Sequence, residues 1–274
     1  MSASRSRLDV RVTRRGRVAT ITIARPEVRN ALRAKTLREL AAALRDVAED
    51  ESVAVVVVTG EGAESFSSGA DLREYRDVYL ERPAEYARYI RLFRAAMDAL
   101  LDVGKPTIAR INGAAVGGGN ELQLGCDLAV MGDHATLQQV GTRVGSVACL
   151  GATQWLPILA GDRRAREILL LCEPVPAADA LAMGLVNRVA RCRRGRRVDL
   201  APLDRAVDDL ADKLVNKFPE CTRATREQIG FWKRLAWSST VGGGVEWLAA
   251  HFASREAREG IAAFFEKRQP KFRE

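Results

Sequence analysis

The sequence predicts an α/β layered core followed by a helical C-terminal region. Strand-like apolar runs alternate with amphipathic helix-like segments as far as Val189, and the pattern shows no internal repeat. Val53–Val58 is apolar on both faces, which is typical of a central strand in a parallel sheet. Beyond Val189 the sequence predicts three helices, at Leu203–Phe218, Thr222–Trp237 and Val245–Phe265. We therefore expect a core domain over residues 1–199 and a helical subdomain over residues 200–274.

The first elements of the core form a predicted hairpin. Leu8–Thr13 and Val18–Ile23 are strand-like and flank the turn Arg14–Arg17. Arg25–Asn30 interrupts this pattern and begins a helix whose apolar positions continue to Val47. The later elements are a loop at Phe66–Leu72, a helix through Tyr86–Leu100, an apolar run within Lys105–Gly113, strands at Asp127–Met131 and Ala135–Gln138, and helices at Thr153–Leu159 and Arg163–Cys172.

The segment Gly117-Gly118-Gly119-Asn120-Glu121 is the main candidate for chemistry. It lies between an apolar run and a helical start, so it is a strand–loop–helix junction whose first amides have no partner inside the helix. Such amides can hold an anionic oxygen, and Glu121 projects from the same turn. Alternatively, the glycines only permit close packing and Glu121 only favours the helix dipole. A similar run, Val241–Glu246, has no strand before it and is expected to be a loop or helix break.

Composition excludes several classes of protein. No apolar run approaches a membrane span, the N-terminal segment 1–7 lacks a signal core, and the five cysteines form no Cys-x-x-Cys pair. We therefore expect a cytoplasmic protein with reduced thiols. With only His134 and His251 as histidines, we expect no metal site. The net charge of +8 includes an arginine cluster at Arg191–Arg197, which is expected to be a solvated loop because no aromatic residues interleave with it.

Four sequence blocks together resemble the enoyl-CoA hydratase/isomerase (crotonase) superfamily over nearly the whole chain. They are Arg25-Pro26-x-x-x-Asn30-Ala31-Leu32, Phe66-Ser67-Ser68-Gly69-Ala70-Asp71-Leu72, Gly113-x-x-x-Gly117-Gly118-Gly119-x-Glu121-Leu122 with Cys126-Asp127, and Ala180-x-x-Met183-Gly184-Leu185-Val186-Asn187. The resemblance implies a spiral core of repeated ββα turns and a helical C-terminal trimerisation region. It also implies a homotrimer or a dimer of trimers.

The resemblance further implies a site that binds an acyl-CoA thioester as substrate and needs no cofactor. By match to the family's loops, the amides of Ala70 and Gly118 form an oxyanion hole, and Glu121 is the general acid or base. The match implies that the Ser68 carbonyl binds the adenine amino group and that Arg29 meets the CoA phosphates. The remaining implied CoA contacts are Asp71 and Lys267, the latter within a cationic tail, Glu266–Phe272.

The sequence departs from typical hydratases of the family at one catalytic position. Hydratases carry a second glutamate where this chain has Gly141, within a segment whose other pocket candidates are Gln139, Thr142 and Ser146. This segment is closer to the branch that contains dihydroxynaphthoyl-CoA synthase and the cyclic oxoacyl-CoA hydrolases. The synthase generally lacks a glutamate at the Glu121 position, so that assignment does not fit.

Three functions follow from these observations. The first is an enoyl-CoA hydratase or related lyase that uses Glu121. The second is a hydrolase that opens the ring of a cyclic oxoacyl-CoA, because Gly141 leaves space opposite Glu121. The third, a nucleic-acid-binding relative that acts through Arg191–Arg197, is disfavoured by the absence of aromatic residues in that cluster.

Overall fold

The computed structural model describes residues 8–271 of the chain. Two sequence predictions lie outside this range: the character of segment 1–7, and Phe272, the last residue of the cationic tail. Within the described range the strands are β1 (Val10–Arg15), β2 (Val18–Ile23), β3 (Val55–Gly60), β4 (Ser65–Ser67), β5 (Thr107–Ile111), β6 (Ala114–Val116), β7 (Leu128–Gly132), β8 (Thr136–Gln138), β9 (Val175–Pro176), β10 (Arg188–Ala190), β11 (Arg193–Arg194) and β12 (Arg197–Val198).

The helices are concentrated between the strand pairs and at the C-terminus. They are α1 (Ala34–Glu49), α2 (Leu72–Glu74), α3 (Pro83–Leu101), α4 (Gly118–Gly125), α5 (Ala152–Ala160), α6 (Asp162–Leu171), α7 (Ala177–Ala182), α8 (Ala201–Val215), α9 (Pro219–Ile229), α10 (Phe231–His251) and α11 (Arg255–Glu266). Among these helices, none combines the length and the apolar character that crossing a membrane requires.

The strands form two principal sheets, and the chain alternates between them. One sheet has six strands in the order β1-β2-β3-β5-β7-β10, and the other has four in the order β4-β6-β8-β9. Each successive pair, β3 and β4, β5 and β6, β7 and β8, contributes one strand to each sheet before helices follow. This is the repeated ββα turn that the family resemblance implied, and the α/β prediction is confirmed.

The central strand β3 determines how both faces of the larger sheet are covered. It lies parallel between β2 and β5, and all six of its residues are buried. Val56 and Val58 belong to the larger hydrophobic cluster, whereas Val55 and Val57 pack in a smaller cluster that includes residues of α8. Side chains of a strand alternate between the two faces of its sheet, so burial on both faces requires an apolar residue at every position.

The C-terminal helices contribute to the same hydrophobic clusters as the core. Trp237, Leu248 and Ile261 belong to the larger cluster, and Leu203 of α8 belongs to the smaller one. The subdomain boundary at residue 200 stays a prediction. Large apolar side chains also remain exposed on these helices, including Trp232 and Trp247. A trimer interface there likewise stays a prediction.

Two local predictions are wrong. Val241–Glu246 is not a loop or a helix break, because it lies inside the continuous helix α10. As a result, the predicted helices Thr222–Trp237 and Val245–Phe265 are replaced by α9, α10 and α11. The arginine cluster is solvated, as expected, but it is not a loop, since β11 and β12 pair there as a short antiparallel hairpin. Gly195, with a φ of +62°, occupies the turn of that hairpin.

One of the three glycines in α10 permits a close approach that explains its presence in a helix. A Cβ atom on Gly244 would lie 2.7 Å from Cβ and 2.8 Å from Sγ of Cys149, whereas a Cβ atom on Gly243 would have no neighbour within 4 Å. Glycine lowers helix stability relative to alanine, so only Gly244 has a packing reason to be glycine.

We predict opposite effects for alanine at these two adjacent positions. Gly243→Ala should raise the free energy of unfolding by about 0.5–1 kcal/mol through helix propensity. Gly244→Ala should lower it by about 1–3 kcal/mol, because the new methyl group overpacks against Cys149. Urea unfolding of the two variants measures both values. A change of the same sign in both variants would contradict the packing explanation.

Candidate active site

The site begins with a loop that Asn30 fixes in place. Its side chain accepts a hydrogen bond from the amide of Arg25 and donates one to the carbonyl of Ser65 at 2.7 Å. Arg29 and Asn30 have φ angles of +54° and +56°, in the left-handed region that asparagine tolerates better than most residues. The amide of Ser68 donates to the carbonyl of Arg29 at 2.9 Å, so this loop and the loop after β4 are joined.

The amide of Ala70 points away from the backbone bridge that holds its neighbours. Leu32 donates its amide to the carbonyl of Gly69 and accepts the amide of Asp71, which is the pattern of a parallel bridge with Ala70 opposite Leu32. In that pattern the N–H of Ala70 faces the other side. Among residues 8–271, no acceptor is found for this N–H.

The amide of Gly118 lies beside this loop at the start of α4. The first amides of a helix have no internal acceptor, and the N–H of Gly118 has none within the described range. A Cβ atom on Gly69 would lie 2.9 Å from the nitrogen of Gly118, so the two loops are in contact. Ala70 and Gly118 line the same cavity. The predicted pair of oxyanion-hole amides is therefore brought together.

Glycine at position 119 makes this contact possible. A Cβ atom there would lie 2.3 Å from the carbonyl oxygen of Ser67, which is too close for any residue with a side chain. The helix α4 thus begins directly against the backbone of β4, and the position of Gly118 is set by backbone contact. Two of the three glycines, Gly118 and Gly119, are needed for approach to a neighbour rather than for flexibility.

Glu121 lies in the first turn of α4 and is almost completely buried. Its Oε1 accepts hydrogen bonds from the amides of Leu150, at 2.8 Å, and Ala152, at 3.3 Å. Its Oε2 accepts no hydrogen bond from residues 8–271, and the residue lines the cavity. Burial raises the pKa of Glu121 to about 7, although the two amides lower it in part. Near neutral pH, this carboxyl group can both accept and donate a proton.

The cavity in front of Glu121 is large and mainly apolar. It has a volume of about 840 Å³. Aromatic rings form much of its wall: Tyr86 stacks on Phe252 with ring centroids 3.7 Å apart, and Tyr75 meets Phe252 edge to face at 5.5 Å. Phe93 of α3 lines the same wall and lies against Gly118. A cavity of this size and lining suits an organic acyl group that is held by shape.

The predicted CoA-binding residues are distributed around the same cavity. Arg29, Ser68 and Lys267 line it, and the Arg29 and Lys267 side chains are exposed without an ion-pair partner among the described residues. Asp71 also lines it, but its carboxylate pairs with Arg25 at 3.0 Å and caps α2 through the amide of Arg73. The carboxylate of Asp71 is therefore engaged with protein, and CoA contact by these four residues stays a prediction.

Three of the four pocket candidates lie at the cavity wall. Gln139, Gly141 and Ser146 line it, whereas Thr142 faces away and donates its hydroxyl to the carbonyls of Leu169 and Leu170. Thr142 does not line the cavity, because the short helical turn Gly141–Arg143 directs it towards α6, and its role as a pocket residue stays a prediction. A Cβ atom on Gly141 would lie 3.0 Å from the carbonyl oxygen of Ser146, so a second glutamate has little room in this loop.

A sequence model of the enoyl-CoA hydratase/isomerase family matches residues 13–274. The chain belongs to this family. Two relatives are both 6-oxocyclohex-1-ene-1-carbonyl-CoA hydrolases, from Geobacter metallireducens and Thauera aromatica, at 31% and 30% identity; each alignment covers 90% of this chain and 76% of the relative. The crystal structure of an enoyl-CoA hydratase from Mycobacterium avium subsp. paratuberculosis is similar in fold, with a TM-score of 0.84, 26% identity and coverage of 97% of this chain and 99% of the other.

These comparisons confirm the crotonase resemblance and its ring-opening branch. As a member of the enoyl-CoA hydratase/isomerase family, the chain is an acyl-CoA enzyme. Part of the cavity wall is formed by residues that the sequence did not indicate as site residues. They are Tyr75, Tyr86, Phe93, His251, Phe252, Phe264 and Phe265. The apolar face of α3 was visible in the sequence, but its position beside Gly118 depends on tertiary contacts.

The buried carboxyl group predicts an unusual pH dependence of stability. The native pKa of Glu121, about 7, lies above the ordinary value of 4.5, so the native state holds the proton more tightly than the unfolded state between these values. The stability contributed by this group is full below pH 4.5 and is lost as pH rises to 7. We expect Glu121→Gln to gain about 3 kcal/mol relative to the parent enzyme between pH 4.5 and pH 8.

Urea unfolding of parent and variant at several pH values measures this difference. A glutamate that served only the helix dipole would behave in the opposite way, since its replacement would cost stability near neutral pH. A difference that stayed constant from pH 5 to pH 8 would contradict the raised pKa.

Proposed function

We propose that this enzyme opens the ring of a cyclic oxoacyl-CoA by adding water, with Glu121 as the general base and then the general acid. The observation that carries the proposal is one buried, cavity-lining carboxylate with a pKa of about 7, beside two amides that have no acceptor among residues 8–271. Two further features support it: the aromatic wall suits a ring, and both hydrolase relatives are named for a cyclic oxoacyl-CoA. Because of these two relatives, we prefer ring opening to simple hydration as the proposed reaction.

The chemistry can be written from the residues of the site. The amides of Ala70 and Gly118 hold the thioester oxygen, and Glu121 removes a proton from water as the water attacks a ring ketone β to the thioester. The ring C–C bond then breaks, and its electron pair passes into the thioester as an enolate. The two amides stabilise the enolate oxygen, and protonated Glu121 returns the proton to carbon. This step consumes one water and forms one carboxyl group and one C–H bond. A ring with a double bond at the α-carbon must first add another water across that bond, because the enolate forms only when the α-carbon is saturated.

The two amides stabilise the negative charge that develops on the thioester oxygen, and the carboxyl group of Glu121 transfers the proton. In other enzymes, the loss of one oxyanion-hole donor costs about 2.7–4 kcal/mol of transition-state stabilisation. A single carboxyl group suffices for proton transfer because it accepts a proton in one step and donates it in the next. This division explains how a site with Gly141 in place of a second glutamate remains competent.

Hydration of an open-chain enoyl-CoA is the second candidate function. It is favoured by the match to the hydratase/isomerase family model and by structural similarity to an enoyl-CoA hydratase. The same two amides and Glu121 would act on it, with water added across the conjugated double bond.

We expect Glu121→Gln to lose activity without losing substrate affinity. The amide keeps the shape and the hydrogen bonds from Leu150 and Ala152 but cannot accept a proton from water. Turnover should fall about 10²–10⁴-fold, while the affinity for a CoA thioester stays near that of the parent enzyme. Steady-state kinetics and binding titration measure the two effects. Glu27→Gln is the matched control, since Glu27 lines the same cavity but is exposed. Near-normal turnover of Glu121→Gln would contradict the catalytic role.

The reaction product separates the two candidate functions. With a cyclic 6-oxo-1-ene carbonyl-CoA in ¹⁸O-labelled water, ring opening should release one proton per turnover and give an acyclic CoA ester with label in a new carboxylate. Hydration of crotonyl-CoA would instead remove the conjugated thioester absorbance without forming an acid. If the cyclic substrate is recovered unchanged while crotonyl-CoA is hydrated, ring opening is wrong. If neither reacts, both candidates fail.

A further inference from the structure

A second cluster of reactive side chains lies where β7 ends, apart from the catalytic cavity. Asp133 and His134 follow β7 directly, and Cys192 precedes β11. One ligand-type atom from each residue lies within 4.8 Å of the other two. None of the three residues lines the cavity that contains Glu121. The catalytic chemistry therefore leaves this cluster unexplained.

The imidazole of His134 has an unused acceptor that points into the protein. Its Nε2 lies 3.0 Å from the carbonyl oxygen of Asn112 and 3.1 Å from that of Ala63. Because carbonyl oxygens only accept hydrogen bonds, Nε2 carries the proton and Nδ1 has the free lone pair. This Nδ1 is buried and has no hydrogen-bond partner among the described residues. A backbone carbonyl that orients the distal N–H is the usual support of a metal-binding histidine.

Backbone contacts also hold the other two side chains. Oδ1 of Asp133 accepts the amides of Cys192 and Arg193, each at 2.8 Å, so the carboxylate is fixed beside the thiol. Cys192 is fully buried, and the amide of Leu203, in the first turn of α8, lies beside its sulfur. The three candidate ligands thus come from two segments that are already joined by hydrogen bonds.

We propose that Asp133, His134 and Cys192 form a site for a borderline-soft divalent cation, with Zn²⁺ as the best match. Sulfur, imidazole and carboxylate are the ligands of Zn²⁺, and water would complete the tetrahedron. Ligand atoms around tetrahedral Zn²⁺ lie roughly 3.3–3.7 Å apart, so separations of up to 4.8 Å require the side chains to close by at most about 1.5 Å. Binding releases the thiol proton to solvent. The bound cation would join the end of β7 to the hairpin of β11 and β12.

A cation site at these three residues contradicts the prediction, made from the sequence, that the protein has no metal site. Asp133 and His134 are adjacent, but Cys192 is 58 residues beyond His134, and no motif links them. Only the pairing of β10 with β7 brings Cys192 to the end of β7.

Titration with Co²⁺ tests the site without reference to activity. After chelator treatment, the full chain should bind one Co²⁺, with a sulfur-to-cobalt charge-transfer band and the visible bands of tetrahedral cobalt. Zn²⁺ should displace the Co²⁺ and raise the melting temperature. One proton should be released per cation, so affinity should increase with pH. Absence of the sulfur band in the parent chain would overturn the proposal.

Variants identify the ligands and separate them from adventitious binding. Cys192→Ser should abolish the charge-transfer band, and His134→Gln should weaken Co²⁺ binding by at least about 100-fold. Asp133→Asn keeps an acceptor for the two amides, so this variant should fold normally but bind Co²⁺ more weakly than the parent chain. Cys221→Ser is the matched control, because Cys221 is an exposed free thiol. Retention of the band in Cys192→Ser, or its loss in Cys221→Ser, would contradict the assignment.

Discussion

The site depends on direct backbone contact between the loop after β4 and the start of α4. Gly119 lies against the carbonyl of Ser67, and Gly69 lies against the amide of Gly118. These contacts hold the Gly118 amide beside the Ala70 amide, and neither donor has an acceptor in the described part of the chain. Amides held by the fold need no reorganisation when charge develops on a thioester oxygen, which is why preorganised donors are effective in catalysis.

The same arrangement buries the carboxyl group of Glu121, which is unfavourable for its ionised form. Glu121 follows Gly118 in the same helical turn, so the helix that supplies the amide also buries the carboxyl group. Burial destabilises the ionised form of Glu121 and raises its pKa to about 7. A residue that reduces stability near neutral pH and has the pKa of a general acid or base is typical of sites where function and stability conflict.

The C-terminal helices complete the cavity and also form part of the larger hydrophobic cluster. Phe252 stacks on Tyr86, and Ile261 of α11 lies in both the cavity wall and the cluster. Across the larger sheet, α8 covers the opposite face and brings its first turn to Cys192. Cys192 thus packs in the smaller cluster, whereas residues of the larger cluster line the cavity that contains Glu121, and none of the three proposed cation ligands lines that cavity.

The sequence by itself determined the α/β class, the hairpin of β1 and β2, the buried strand β3 and the junction before Glu121. Each of these depends on local periodicity or on a short motif, which the sequence displays directly. Tertiary structure decided the rest. Val241–Glu246 lies inside α10, where Gly244 packs on Cys149, and Thr142 faces away from the cavity because its loop turns towards α6. The high pKa of Glu121 and the meeting of His134 with Cys192 likewise require distant segments to come together, and local sequence does not encode that proximity.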